Sequence, residues 1–214
     1  MIIAVDGPTA SGKGTISKEL AKHFSLPFLD TGLLYRAVGW TLRLQGGNAD
    51  DPIDALNACT FDGQLLDNPD LRSETIGGLA SRVSIHPQVR RALDKRQKDF
   101  AYQSAGAVLD GRDIGTVIAP DADVKLFVTA SSEARAVRRF EEMKRRGEPV
   151  NFDDILADIL KRDARDQNRS AAPLKPAEDA DLLDTTDLTI GDAIQQAIAL
   201  VNAKINRRRD KDPA

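Results

Sequence analysis

Gly7-Pro8-Thr9-Ala10-Ser11-Gly12-Lys13-Gly14-Thr15 sits between a short β-branched run, Ile2-Ile3-Ala4-Val5, and a helical stripe of Ile16, Leu20 and Phe24. That placement decides the fold. A segment that wraps phosphate oxygens must aim several backbone N–H groups inward, and glycine permits the conformations and close approaches this needs. The helix that follows offers unpaired N-terminal amides and the positive end of its dipole. Lys13 adds a charge long enough to reach a β- or γ-phosphate. Strand, G-x-x-x-x-G-K and helix in that order make a P-loop. Gly7, Pro8, Thr9, Ala10, Ser11, Gly12, Lys13, Gly14 and Thr15 are therefore read as holding the phosphates of a nucleotide. Gly14 stands where the general pattern has Ser or Thr. Thr15 follows it and is a candidate ligand for Mg²⁺.

Working outward, Pro27-Phe28-Leu29, Ala107-Val108-Leu109, Val124-Lys125-Leu126-Phe127-Val128 and Asp181-Leu182-Leu183 are further short apolar runs. Unalternated runs of this kind suit a parallel sheet covered on both faces. Helical stripes lie between them: Phe152, Ile155, Leu156, Ile159 and Leu160, then Ile190, Ile194, Ala197, Ile198, Val201 and Ile205. The expectation is an α/β fold, a doubly wound five-stranded parallel sheet with helices on both faces. Two stretches fit less well. Residues 46–85 carry turn signals and weak periodicity, as an insertion would, with Thr60-Phe61-Asp62-Gly63-Gln64-Leu65-Leu66 as their strand-like part. Residues 163–176 read as a mobile loop after a helix. The basic tail Arg207-Arg208-Arg209-Asp210-Lys211-Asp212 reads as a solvated helix end.

Composition narrows the classes. The chain has 214 residues, 30 basic and 33 acidic side chains, and a formal charge of −3, which argues against a nucleic-acid binder that works by bulk charge. Hydrophobic residues are 41% but aromatics only 5%, so the core must be aliphatic. Cys59 is the single cysteine and cannot form an internal disulfide. No apolar run approaches the ~20 residues needed to span a bilayer. The chain opens on a strand without a basic leader, so a cytoplasmic location with no membrane partner is expected.

In a doubly wound sheet the strand C-termini line the ligand crevice. Asp30-Thr31-Gly32 follows the second run, so Thr31, Tyr35 and Arg36 are expected to face the P-loop cleft. After the third run, Asp110 occupies the place of a carboxylate that holds Mg²⁺ through water, or else caps the turn at Gly111. Arg112 next to it reads as a phosphate clamp and Asp113 as an acceptor for a base amino group. Lys161 to Arg169 holds four cations and two anions in nine residues. Such runs usually make salt-bridged helix surfaces, yet three of the four cations are arginine, which favours bidentate phosphate binding.

GPTASGKGT, DTGLLYR, SRVSIHPQVR, DGRDIGTV and RDARDQNRSAAPL together resemble the bacterial cytidylate kinases, and GKGT is a form associated with nucleoside monophosphate kinases. The motifs run in family order over nearly the whole chain. The resemblance implies transfer of the γ-phosphoryl of ATP to CMP or dCMP with Mg²⁺, as part of pyrimidine nucleotide metabolism. It implies one domain over 1–214, with a monophosphate-binding insertion at about 31–106 and a LID at about 151–172, and a monomer is expected. Carried over by position, Thr31, Tyr35, Arg36, Arg112 and Arg169 contact the monophosphate side. Ser81, Arg90 and Asp113 read cytosine, and Arg162 and Asp166 hold the sugar. Lys13, Arg112, Arg165 and Arg169 carry transition-state charge. Arg138 packs against adenine, with Arg135 and Arg139 as close competitors. The stretch between Arg36 and Ser81 is shorter than in the enterobacterial form, as if a hairpin were missing. Another small P-loop kinase, acting on adenylate, UMP or shikimate, would leave Ser81, Arg90 and Asp113 unexplained. A nucleotide-binding switch would leave the arginine-rich segment without a use.

Overall fold

The structure, a computed structural model, describes residues 1–209. Five strands form one all-parallel sheet: β1 (Ile2–Asp6), β2 (Phe28–Asp30), β3 (Ala107–Gly111), β4 (Val124–Thr129) and β5 (Asp181–Asp184), in the order β2-β3-β1-β4-β5. Each expected run is a strand. β3 is buried at every position and β1 at all but its first, which is why their sequences do not alternate. The chain leaves β1 to build one side of the sheet and crosses back to build the other. The C-terminal end of β1 is therefore the switch point, where α/β sheets open a crevice. Register brings Asp6 opposite Gly111 and Asp30 opposite Asp110 at that end.

Among the described residues there are eight α-helices: α1 (Lys13–His23), α2 (Thr31–Leu44), α3 (Pro52–Asn57), α4 (Glu74–Val83), α5 (Pro87–Ala101), α6 (Ser132–Arg145), α7 (Phe152–Asn168) and α8 (Ile190–Arg209). One face of the sheet packs Ile3, Val5, Leu126 and Val128 against Ile16 and Leu20 of α1 and Val201 of α8. Each such side chain contributes roughly 1.5–3 kcal/mol of burial. The other face holds Ala4, Leu109, Ile114 and Ile118. Away from the sheet, α2, α3, α4 and α5 close a small core of Leu34, Val38, Leu42, Val83, Val89 and Leu93. A third core joins α6 and α7 through Ala136, Ile155 and Ile159. No described helix is long and apolar enough to cross a membrane.

The structure corrects several expectations. Residues 60–66 contain no strand; Gly63–Asp67 and Pro69–Arg72 are short 3₁₀ turns, each opened by a side-chain cap, Asp62 and Asn68. Thus the insertion is helical. Residues 163–168 are not loop either, because α7, capped by Asn151, runs unbroken to Asn168. Its inward face reads Ile155, Ile159, Arg162 and Asp166, apolar over the α6 contact and charged where it passes the cleft. A helix crossing from a core to a polar cavity thus imitates a loop in sequence. Leu160 and Ile190, assigned to buried stripes, are 50% and 53% exposed. Arg207 and Arg208 sit at the exposed end of α8, Arg208 against Asp123, while Asp210, Lys211 and Asp212 lie outside the described residues.

Candidate active site

Gly7 takes the chain off β1 with φ 154°, and a Cβ there would stand 2.0 Å from the Val128 carbonyl oxygen. Only glycine passes. The loop's carbonyls are then tied back to the protein. Ser11 Oγ donates to Pro8 O at 3.1 Å, Arg135 to Thr9 O at 3.2 Å, and Thr185 Oγ1 to Ser11 O at 3.0 Å. In a planar trans peptide N–H and C=O point opposite ways, so these anchors turn the following amides toward the open side. A phosphate cradle is the result.

Lys13, 9% exposed, places Nζ 3.3 Å from Asp110 Oδ1. Burial pulls the Lys13 ammonium down from its ordinary range and pushes the Asp110 carboxyl up; Arg112 adds to the first effect and Lys13 opposes the second. Beyond that ion pair, Asp110 Oδ1 is buried and makes no hydrogen bond. A hydrated divalent cation would give that oxygen the further partner it lacks, so the chemistry of this corner fits Mg²⁺. The Gly14 departure has a local cause as well, since a Cβ at Gly14 would come 3.2 Å from Asp110 Oδ2. Thr15 is exposed and lines both the cavity behind the loop and a smaller one along it, the latter together with Lys13 and Asp30.

The cleft beyond Lys13 has a volume of about 260 Å³. Its walls bring together Thr31, Tyr35 and Arg36 of α2, Ser81 of α4 and Arg90 of α5. Arg112 and Asp113 come from the turn after β3, Arg162 and Asp166 from α7, and Arg169 from just beyond it. Nine cationic side chains face five carboxylates, a surplus suited to anionic ligands. Asp113 is gripped by Arg90 and lies 3.5 Å from Arg169 Nη2, and Arg90 stacks 5.4 Å from the centre of the Tyr35 ring. Arg112 Nε donates to Asp166 Oδ2 at 3.2 Å. Burial, reinforced by neighbouring guanidiniums, lowers Arg36 and Arg162 to about 10. Burial raises the Tyr35 phenol to about 12.

Some residues stand differently from their expected use. Arg36 Nη1 donates to Leu71 O and Ser73 O at 2.6 and 2.9 Å, so one arm grips backbone. Thr31 gives its hydroxyl proton to Asp110 O at 2.7 Å and offers a ligand lone pairs only. Arg165 is not on the cleft wall; it donates to Ser81 Oγ at 2.7 Å. Arg138 lines a second cavity of about 560 Å³ behind the P-loop, with Gly12, Thr15, Leu188 and Ile190, and both its arms are held by Thr185. Arg135 is buried against Asp163 and Thr9, and Arg139 turns into the cleft toward Glu74. Sequence reasoning missed Thr185, Asp30 and Arg72. Thr185 had the signal of a hydroxyl residue at the end of the last strand.

A P-loop at the switch point of a parallel sheet, facing a cation-rich cleft on one side and a half-apolar cavity on the other, defines a nucleotide-binding α/β protein with room for two anionic ligands. The cytidylate kinase family model matches residues 3–203, and the chain belongs to that family of phosphotransferases. It is 55% identical over 211 residues to a cytidylate kinase of Rhodopseudomonas palustris, covering 98% of this chain and 100% of that protein. It is 51% identical to the cytidylate kinase of Methylocella silvestris over the full length of both, and 49% identical to that of Brucella suis over 97% and 95% of the two chains. Among solved structures, an uncharacterized protein from Eubacterium ventriosum shares the fold, with a TM-score of 0.55, 16% identity and coverage of 95% of this chain and 99% of that one.

Proposed function

We propose that the protein transfers the γ-phosphoryl group of ATP to CMP or dCMP, giving ADP and CDP or dCDP. The observation that carries the reading is the Asp113 carboxylate, buried between Arg90 and Arg169, at the end of a cleft whose other end is Lys13. A carboxylate there accepts from the exocyclic amine of cytosine, and the flanking guanidiniums donate to its ring acceptors. Uracil, with a carbonyl in place of the amine, leaves Asp113 facing an acceptor.

Two anions must be drawn together, and the surplus of arginine supplies that attraction. Arg36, Arg112 and Arg169 hold the monophosphate, Arg162 and Asp166 the sugar, and Ser81, fixed by Arg165, the base. Lys13 and the loop amides hold the donor phosphates, with adenine in the cavity beside Arg138. Mg²⁺, when bound, supplies charge neutralisation at the β- and γ-phosphates; Asp110, through water, and Thr15 are the residues that would hold it. No general base is needed, because the accepting phosphate is already anionic near neutral pH. Lys13, Arg112 and Arg169 balance the charge that spreads over the transferring group, while Arg165, expected to share that task, serves the base side by holding Ser81. Movement of the insertion at about 31–106 and of a LID at about 151–172 would exclude water during transfer. The same reading makes the protein a cytoplasmic monomer of pyrimidine nucleotide metabolism.

A coupled assay of ADP release with CMP, dCMP, UMP and AMP tests the reaction. Turnover fastest with a cytidine monophosphate is expected; preference for AMP, or no turnover, overturns it. Sedimentation at micromolar concentration checks the monomer.

A further inference from the structure

The cleft that faces the acceptor and a smaller cavity along the P-loop share one wall, formed by Lys13, Gly14, Asp30 and Arg72. In the proposed transfer a phosphoryl group held by Lys13 moves into the acceptor cleft, and these four residues border both spaces. Lys13 comes from the loop itself. Arg72 comes from the insertion, at the end of the 3₁₀ turn Pro69–Arg72. From this geometry we infer that Arg72 is a further catalytic residue, a cation that the insertion delivers onto the transferring phosphoryl group. The inference rests on the proposed reaction being phosphoryl transfer, whichever monophosphate receives it.

Three features separate Arg72 from an ordinary surface arginine. Its backbone is clamped on both sides, because Arg36 Nη1 binds the carbonyls of Leu71 and Ser73. Leu71 is fully buried and Asn68 caps the turn, so the segment is stiff before any ligand arrives. The side chain itself is loosely held. It is half exposed, and its nearest partner, Asp30 Oδ2, is 3.8 Å away. An ion pair that long and that wet is worth little and exchanges readily for a better anion. A phosphoryl group beside Lys13 is that anion. A rigid stem and a free guanidinium are the properties asked of a group that meets charge as it develops. Asp30 keeps the guanidinium over the shared wall in the ligand-free protein, and Arg36 makes its placement depend on the residue expected to meet the acceptor phosphate.

The test compares wild type, Arg72→Met and Arg72→Lys in steady-state kinetics with ATP and CMP, together with ATP affinity measured calorimetrically without CMP. Arg72→Met should lower kcat by about 30- to 100-fold, a fraction of what a full arginine finger supplies. ATP affinity should change less than about threefold, melting temperature should hold within about 2 °C, and lysine should restore part of kcat. A kcat within twofold of wild type, or a loss confined to KM, overturns the inference. If wild type turns over another monophosphate faster than CMP, the substrate reading fails and the same variants are run with that acceptor. If wild type transfers to no monophosphate, both readings fall.

Discussion

Nine consecutive residues, Gly7 to Thr15, supply nearly everything that the donor end of the cleft presents to phosphate, and they present it mostly as backbone. The acceptor end draws Arg36 from α2, Ser81 from α4, Arg90 from α5, Asp113 from a turn after β3 and Arg162 from α7, and presents side chains. Covalent continuity shapes the first. A network of buried ion pairs shapes the second, and the loss of one partner leaves a charge stranded in each case. The donor end can therefore lose chemistry while keeping its fold, whereas the acceptor end is expected to lose both together.

Lys13→Met breaks the comparison most sharply. It removes the cation that the phosphate loop itself supplies, and kcat should fall by at least about 1,000-fold, since charge stabilisation carries most of this reaction. Lys13 is what holds the Asp110 carboxyl down against burial, so its loss moves that carboxyl up rather than leaving a fixed anion, and the melting temperature should stay within a few degrees. Parallel activity and melting measurements check both halves. A variant that is inactive because it is unfolded would put Lys13 on the structural side.

Asp113→Asn is the acceptor-side counterpart. It leaves Arg90 and Arg169 without their carboxylate, which should destabilise the protein by about 3 kcal/mol. It should also lower kcat/KM for CMP by about 100-fold, as expected for a lost bond to a buried polar group. Activity with UMP should change far less. Equal losses for the two bases would take Asp113 out of base recognition and leave it an ion-pair residue.

Thr185→Val tests whether the donor loop depends on side chains after all. Thr185 donates to Ser11 O, accepts from Arg138 and is 2% exposed. The valine should raise KM for ATP about tenfold through the lost bonds and leave KM for CMP unchanged. An effect on both constants would show the two ends to be coupled through β5.

The same contrast explains what could be read from sequence. The P-loop, its strand and its helix are local, so nine letters and two periodicities suffice. All five strands were legible for a similar reason, since a parallel sheet buried on both faces leaves uninterrupted apolar runs. The acceptor residues carry no common local pattern. Arg90 and Asp113 are 23 positions apart and meet only through α5 packing on β3. Their grouping came from the family resemblance, not from spacing. α7 was misread past Arg162 because its buried face turns charged where it borders the cleft. Arg72 was missed because a 3₁₀ turn has no period to reveal, and its position depends on Arg36 binding backbone 35 residues away.

One residue belongs to both ends and sharpens the comparison in a different variable. Asp6, the last residue of β1 before Gly7, is 5% exposed and accepts from Ile114 N and Gly115 N, both at 2.8 Å. It thereby pins the turn that follows Arg112 and Asp113 to the strand that launches the P-loop. Burial raises its carboxyl to about 7, against the pull of those two amides. The proton is thus held more tightly in the folded protein than in the unfolded chain. Stability from this group is full below about pH 4, declines as the unfolded chain ionises first, and levels off above about pH 7. Wild type should lose on the order of 2–4 kcal/mol across that window from Asp6 alone. Asp6→Asn, which cannot titrate, should lack that component although it gives up one of the two backbone bonds. Guanidinium unfolding of both proteins at pH 5, 6, 7 and 8 isolates the difference, because every other titrating group is shared. Identical slopes would mean that the two amides outweigh burial and keep Asp6 ionised throughout, which would make the link between the ends a permanent anion and not a titrating one.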